Sequence, residues 1–278
     1  MNSIKKVATI NDLSGVGRCS LTAAIPILSV LGIECCPFPT AILSCQTAFE
    51  GFTFLDMTDK MAEYKSSWDK LNFKFDCIYS GFLGSEHQIE TVIGMVKSHK
   101  ESLIVIDPVM ADNGKIYSIY TEKMCLEMKR LVSYADIITP NITEAYLLSD
   151  RKYNKEKVNK EEIVEIAKEI AKKGPKKIII TSILIDNKIY NFSYDKETDE
   201  ASFVSSDFID KSYGGTGDIF TSIVIGLLLN NHSLEYSIEK ATEFIYKVIS
   251  YTIKQDTDPK EGIIFEKFLK ELILINEG

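Results

Sequence analysis

The residues with the most chemical content are Tyr213-Gly214-Gly215-Thr216-Gly217-Asp218, followed by an apolar run over residues 219–229. The glycines let backbone N–H groups approach a ligand closely and adopt positive φ. A helix beginning at Gly217 or Asp218 would aim its unpaired N–H groups and its positive dipole end into the loop, making an anion cradle. A carboxylate beside a bound phosphate would be repelled, so Asp218 needs a reason to be there. One reason is to accept a proton from a hydroxyl that attacks phosphorus. The plainer alternative is a glycine turn with Asp218 as helix cap, and this stretch alone does not separate the two.

Four further spots follow expected strands. In Asn11-Asp12-Leu13-Ser14-Gly15-Val16-Gly17-Arg18-Cys19-Ser20, the Gly15-x-Gly17-x-x-Ser20 spacing narrowly misses a dinucleotide fingerprint, with Glu34 as a candidate ribose-binding acid. A glycine turn feeding a helix explains it equally. Asp12 is a strand-end carboxylate suited to a substrate hydroxyl or ring nitrogen. Residues 39–52 are apolar, aromatic and hydroxyl-rich without periodicity, which suits a lid, a pocket wall or a buried irregular loop. Asp107 closes an apolar strand where acids often help to hold Mg²⁺, usually through water; Asp112-Asn113-Gly114 reads as a turn. In Thr139-Pro140-Asn141-Ile142-Thr143-Glu144, Asn141 and Glu144 either form a capping box or stand near a metal ion. There is no G-x-x-x-x-G-K-[ST] loop, no G-x-S-x-G elbow and no protein-kinase motif set. Residues 214–218 are the one candidate phosphate cradle.

The elements that must position these residues alternate. Strands are expected at 6–10, 33–38, 77–80, 103–106, 137–138 and 177–181, with a hairpin over 188–204. Helices are expected at 20–31, 58–71, 85–99 (with capping-box spacing at Ser85 and Gln88), 121–133, 141–148, 160–173, 217–230, 234–253 and 263–275. This βαβα order predicts an α/β fold, a three-layer, doubly wound, mostly parallel central sheet with helices on both faces. Ligands of such sheets sit beyond the carboxyl ends of the strands. The 278 residues are 45% hydrophobic, which suits one domain over 1–278. A net charge of −8 without a basic tract argues against nucleic acid and anionic membranes as partners. Six cysteines without CxxC and three scattered histidines give no zinc spacing. Residues 1–6 lead into a strand without a signal-type apolar region, so a reducing, cytoplasmic setting is expected.

Taken together, these spots resemble the ribokinase-like superfamily of small-molecule kinases. Gly215-Thr216-Gly217-Asp218 looks like its anion-hole and base motif, and residues 107–114 and 139–144 match in kind and order. Within that superfamily, residues 10–21, 39–44 and 80–85 resemble a bacterial branch of the pyridoxal/pyridoxamine (vitamin B6) kinases. The likeness runs from about residue 5 to about residue 255. It implies ATP-dependent phosphorylation of the 5′-hydroxyl of a B6 vitamer, with Mg²⁺, a monovalent cation (K⁺) and a homodimer. Asp218 would take the proton, with Gly215, Thr216 and Gly217 holding γ-phosphoryl charge. Asp107 and Glu144 would organise Mg²⁺ and phosphate, with Asn141 beside them. Thr181 and Ser182 would contact nucleotide, and Asp12, Thr47 and Phe82 would line the vitamer pocket.

Three departures stand out, and those in the lid bear on substrate preference but not on reaction class. Asp12 stands where many relatives carry Ser, Cys45-Gln46-Thr47-Ala48 where they often have Asn-His-Thr-Gly, and Ala111 at a usual glycine. Three alternatives remain: a hydroxymethylpyrimidine kinase with the same machinery, a dinucleotide-binding oxidoreductase using Gly15-x-Gly17, and a catalytically silent vitamer-binding protein.

Overall fold

The structure is a computed structural model that describes residues 4–277; residues 1–3, part of the lead into the first strand, and Gly278 lie outside the described residues. Strand β1 (Lys6–Ser14) leads through a glycine turn to α1 (Ser20–Val30) and β2 (Glu34–Leu43). Then come β3 (Phe54–Asp56), α2 (Thr58–Lys70), β4 (Cys77–Ser80), α3 (Glu86–Ser98) and β5 (Leu103–Ile106). A small hairpin, β6 (Ala111–Asp112) and β7 (Lys115–Ile116), precedes α4 (Glu122–Val132), β8 (Ile137–Ile138), α5 (Ile142–Leu148) and α6 (Lys160–Ala171). The chain closes with β9 (Lys177–Ile185), β10 (Lys188–Asp195), β11 (Glu200–Asp207), α7 (Thr216–Leu229), α8 (Leu234–Thr252) and α9 (Leu269–Glu277).

Among the described residues, nine strands form the main sheet in the order β11-β10-β9-β8-β5-β4-β1-β2-β3. Its centre is parallel from β2 to β9; β3 and β10 run against it, and β11 pairs antiparallel with β10 at the edge. Both faces are covered, so the inner strands are apolar runs and not alternating patterns. Ile78 and Tyr79 in β4 and Val105 and Ile106 in β5 are buried. Helices α2 to α6 pack one face, with Met61, Ile93, Met128 and Ile166 in its core. Helices α1, α7, α8 and α9 pack the other, around Ile27, Ile223, Phe244 and Leu272. A fully buried side chain of this kind contributes about 1.5–3 kcal/mol.

Sheet order reverses at β1: its neighbours are β2 on one side and β4 on the other. Such a switch point opens a crevice at the carboxyl ends of the two strands. The doubly wound expectation therefore holds, and the crevice falls at Asn11 and Asp12 on one strand and Ser80 on the other.

Several local expectations are corrected. Strand β1 runs on to Ser14, so Asp12 lies within it and not at its end. Residues 39–43 belong to β2, paired with β1 and β3, and the irregular stretch is confined to residues 44–53. Residues 263–265 are not helical: buried Ile263 and Phe265 plug the core before a 3₁₀ turn and α9. The hairpin over 188–204 extends the main sheet as β10 and β11. At α3, Ser85 accepts from the Gln88 N–H, but the Gln88 side chain accepts from Gly84 N–H in place of Ser85, so the capping box is only half made.

Candidate active site

The glycine loop ends on Gly215, the N-cap of α7, with φ of +81°. A Cβ there would fall 2.0 Å from the Arg18 carbonyl oxygen, so both the conformation and the space call for glycine. The helix begins at Thr216, a residue before the expected start. Its first-turn N–H groups, on Thr216, Gly217 and Asp218, have no acceptor within the helix. They open on a cleft of about 1130 Å³ at the carboxyl edge of the sheet. Residues 219–227 behind them are buried throughout, which anchors the turn.

Asp218 is not the cap of its own helix, because that position belongs to Gly215. Its carboxylate is held by other elements. The Ser20 N–H donates to Oδ2 at 2.8 Å, and the Asn11 amide donates to Oδ1 at 2.9 Å. Ser20 has φ of +48°, a left-handed conformation that costs a non-glycine residue about 1–3 kcal/mol and recurs at functional sites. Burial pushes the Asp218 carboxyl up to about 6; the Ser20 and Asn11 donors oppose this and the Asp12 charge adds to it. Beneath lies the buried Tyr79, whose hydroxyl is near Asp218 and Thr221 without a hydrogen bond in good geometry to either. A buried carboxyl titrating near neutrality, oriented by two donors, is equipped to accept a proton.

Asp12 lies beside it, accepting from Ser14 Oγ at 2.9 Å and Ser20 Oγ at 2.5 Å. Burial raises its pKa and those two hydroxyls oppose the rise. Phe82 follows β4, and its N–H donates to Asn11 Oδ1 at 2.9 Å. Thr47 is exposed on the loop of residues 44–53, and both Thr47 and Phe82 line the cleft. On the same loop, Gln46 lies over Gly214, with a buried Nε2 that has no hydrogen-bond partner.

On the far side of the cleft, Asp107 follows β5 and Glu144 stands in the first turn of α5. The capping box at Asn141 and Glu144 is present. Glu144 Oε2 accepts from the Asn141 N–H at 2.9 Å, and Oε1 accepts from Met110 N–H at 2.9 Å and Ala111 N–H at 3.3 Å. Glu144 thus caps α5 and also pins Met110 and Ala111. Burial raises both the Asp107 and Glu144 carboxyls. Asp107 is 7% exposed and makes no side-chain hydrogen bond to the described residues, so its buried carboxylate wants a cation or a proton. One free carboxylate opening on a phosphate cradle suits Mg²⁺, which binds through few protein ligands plus water and substrate phosphates. Glu144, with both oxygens engaged, fits such an ion through water only. Asn141 and Thr181 are joined by a β-bridge, and Ser182 follows with φ of +57°, its N–H donating to Asn191 Oδ1.

The structure thus brings Asp12, Thr47, Phe82, Asp107, Asn141, Glu144, Thr181, Ser182 and residues 215–218 to one cleft. It separates the dinucleotide pieces. Glu34 begins β2 at the opposite edge of the sheet and pairs with Lys6 at 3.1 Å. The Gly15–Gly17 turn packs on the 44–53 loop through Val16 N–H to Ser44 O and Gln46 N–H to Val16 O. The oxidoreductase reading therefore loses its site. Asn11 is a site residue that sequence reasoning missed; a polar side chain one position before Asp12 in an apolar strand was the available signal.

Comparison with known proteins places this geometry. The model of the phosphomethylpyrimidine kinase family matches residues 21–261. A candidate phosphomethylpyrimidine kinase of Bacteroides thetaiotaomicron, in a crystal form with pyridoxal, is 42% identical with a TM-score of 0.93, over 97% of this chain and 96% of that one. Pyridoxal kinase from Lactobacillus plantarum is 26% identical with a TM-score of 0.92, over 99% of both chains. Pyridoxine kinase of Bacillus subtilis is 31% identical over 189 residues, 66% of this chain and 68% of that one. The fold is ribokinase-like.

Proposed function

This chain belongs to the phosphomethylpyrimidine kinase family, and from that premise we propose that it is a vitamin B6 kinase, transferring the γ-phosphoryl group of ATP to the 5′-hydroxyl of pyridoxal, pyridoxamine or pyridoxine. The observation that carries this reading is the Asp218 carboxylate, held by donors from β1 and α1 beside the open first turn of α7. The vitamer hydroxyl oxygen attacks the γ-phosphorus, the bond from that phosphorus to the β,γ-bridging oxygen breaks, and ADP leaves. Asp218 takes the hydroxyl proton. The N–H groups of Gly215, Thr216 and Gly217 hold the charge that builds on the γ-phosphoryl oxygens.

Asp107 would hold Mg²⁺ directly or through water, and Glu144 would act through water and by fixing Met110 and Ala111. The ion, when bound, neutralises phosphate charge that an acidic protein does not offset itself. Asn141, Thr181 and Ser182 line the nucleotide side; Asp12, Thr47 and Phe82 line the vitamer side. A monovalent cation, a homodimer and a cytoplasmic setting complete the reading, and the six free cysteines suit a reducing compartment.

Hydroxymethylpyrimidine phosphorylation uses the same cradle and base, so a panel of acceptors decides. Purified protein with Mg·ATP is expected to release ADP in the presence of pyridoxal, pyridoxamine or pyridoxine. Turnover with hydroxymethylpyrimidine alone would overturn the B6 assignment and leave the phosphoryl-transfer chemistry standing. NAD(H) binding without ATP binding would overturn both.

A further inference from the structure

We infer that Asn11 is a positioning residue of this reaction: its one carboxamide fixes both the Asp218 carboxylate and the Phe82 backbone, holding the proton acceptor and the vitamer wall in a single register. The inference rests on the phosphoryl-transfer reading above and deepens it. Asn11 is fully buried in β1, at the switch point beside β4. Its Oδ1 accepts from two backbone donors, Asp12 N–H at 3.0 Å and Phe82 N–H at 2.9 Å. An amide oxygen facing two N–H groups has its orientation settled, because the NH₂ end offers donors only. Nδ2 is thereby turned toward Asp218 Oδ1, which it meets at 2.9 Å.

The chain keeps space for this arrangement at Gly81. A Cβ there would fall 2.4 Å from Asn11 Nδ2 and 2.8 Å from its Cγ. Glycine at 81 is therefore explained by Asn11, although the residues are 70 positions apart. The geometry also accounts for the choice of asparagine. Aspartate could accept from the two backbone N–H groups but would present a second carboxylate to Asp218. Leucine would fill the volume and strand the two buried N–H groups without an acceptor. Asparagine alone among residues of this size gives two acceptor contacts at one end and a donor at the other.

The test is a double-mutant cycle in steady-state kinetics, run on whichever alcohol the wild type phosphorylates. Failure of the B6 reading then shows in the wild-type panel, and failure of this inference shows only in the cycle. Asn11→Ala is expected to lower kcat by about 10- to 100-fold, the cost of misplacing a catalytic group by roughly an ångström, with KM for ATP unchanged. In an Asp218→Asn background the same change should cost less than about twofold, because residues that act as a unit are not additive. An equal loss in both backgrounds means a structural role only and overturns the inference, as does wild-type kcat in Asn11→Ala. Gly81→Ala supplies a second cycle, and stands alone if Asn11→Ala does not fold. It should lower kcat while ADP still binds, and add nothing in the Asn11→Ala background. Wild-type kcat in Gly81→Ala would overturn the coupling.

Discussion

Two loops meet over the cleft, and they are built on opposite principles. The loop of residues 213–218 is specified by the backbone: glycine at a positive φ, Arg18 too close for any Cβ at 215, and a buried helix behind it. The loop of residues 44–53 also turns on a positive-φ glycine, Gly51, but nothing crowds that position and the loop presents mainly side chains. Thr47, Ala48, Glu50 and Phe52 are exposed, and its ties to the body are few: Ser44 O and Gln46 N–H bonded to Val16, Lys260 over the Phe49 ring, and Gln46 over Gly214. The first loop offers charge stabilisation that any phosphoryl acceptor would need. The second offers contacts that only some acceptors would make. On the proposed reading, reaction class and substrate choice are held in two separately built loops, and each can be perturbed without the other.

The sharpest way to break the comparison is at the base. Asp218→Asn keeps the shape of the side chain and removes the proton acceptor, so kcat is expected to fall by about 10²–10⁴-fold. Nucleotide affinity, followed by calorimetry with ADP, should stay close to wild type. Near-wild-type turnover would remove Asp218 from its role.

The next effect is on pH. Since burial pushes Asp218 up to about 6, kcat/KM should fall about tenfold per unit below that pH, because the base must be deprotonated. The same shift has a consequence for stability. The folded pKa lies above the ordinary value of 3.8, so the group favours the folded state below about 4 and that contribution is lost as pH rises through about 6. Asp218→Asn should therefore gain melting temperature over wild type at pH 8 relative to pH 4. A flat profile across that range would show a carboxyl that ionises normally.

The smallest effect is expected in the lid. Gln46→His introduces the side chain common at this position in the resembled kinases. It should change KM for individual vitamers by less than about tenfold while kcat stays within about threefold, since one side-chain contact is worth about 1 kcal/mol. A large loss of kcat would mean that Gln46, through Gly214, also shapes the anion loop, and the division between the two loops would fail.

How much of this was legible in the sequence follows the same division. Residues 214–218, Asp107 and the capping pair Asn141–Glu144 could be read directly, because positive φ, strand ends and helix starts are short-range properties of the chain. The 39–52 stretch was misjudged at its first half. Residues 39–43 begin on a proline and show no alternation, yet β1 on one side and β3 on the other supply the pairing that makes them a strand. Residues 263–265 show a helical pattern but sit as buried plugs, where packing against α7 and α8 outweighs local preference. The Gly15-x-Gly17 pattern looked like chemistry and is a turn that supports the lid.

The sequence by itself determined that a glycine loop ending on a carboxylate would open a helix at the edge of a doubly wound sheet, since glycine freedom, helix-end polarity and strand periodicity are all written locally. Only the tertiary structure decided how that carboxylate is held and buried. Its partners, Asn11 and Ser20, lie 207 and 198 residues away. They reach Asp218 because β1 is the switch strand of the sheet and α1 packs beside α7. Burial in that packed crevice pushes the Asp218 carboxyl up to about 6, against the opposing pull of those two donors, where an aspartate capping an exposed helix would have kept its ordinary value.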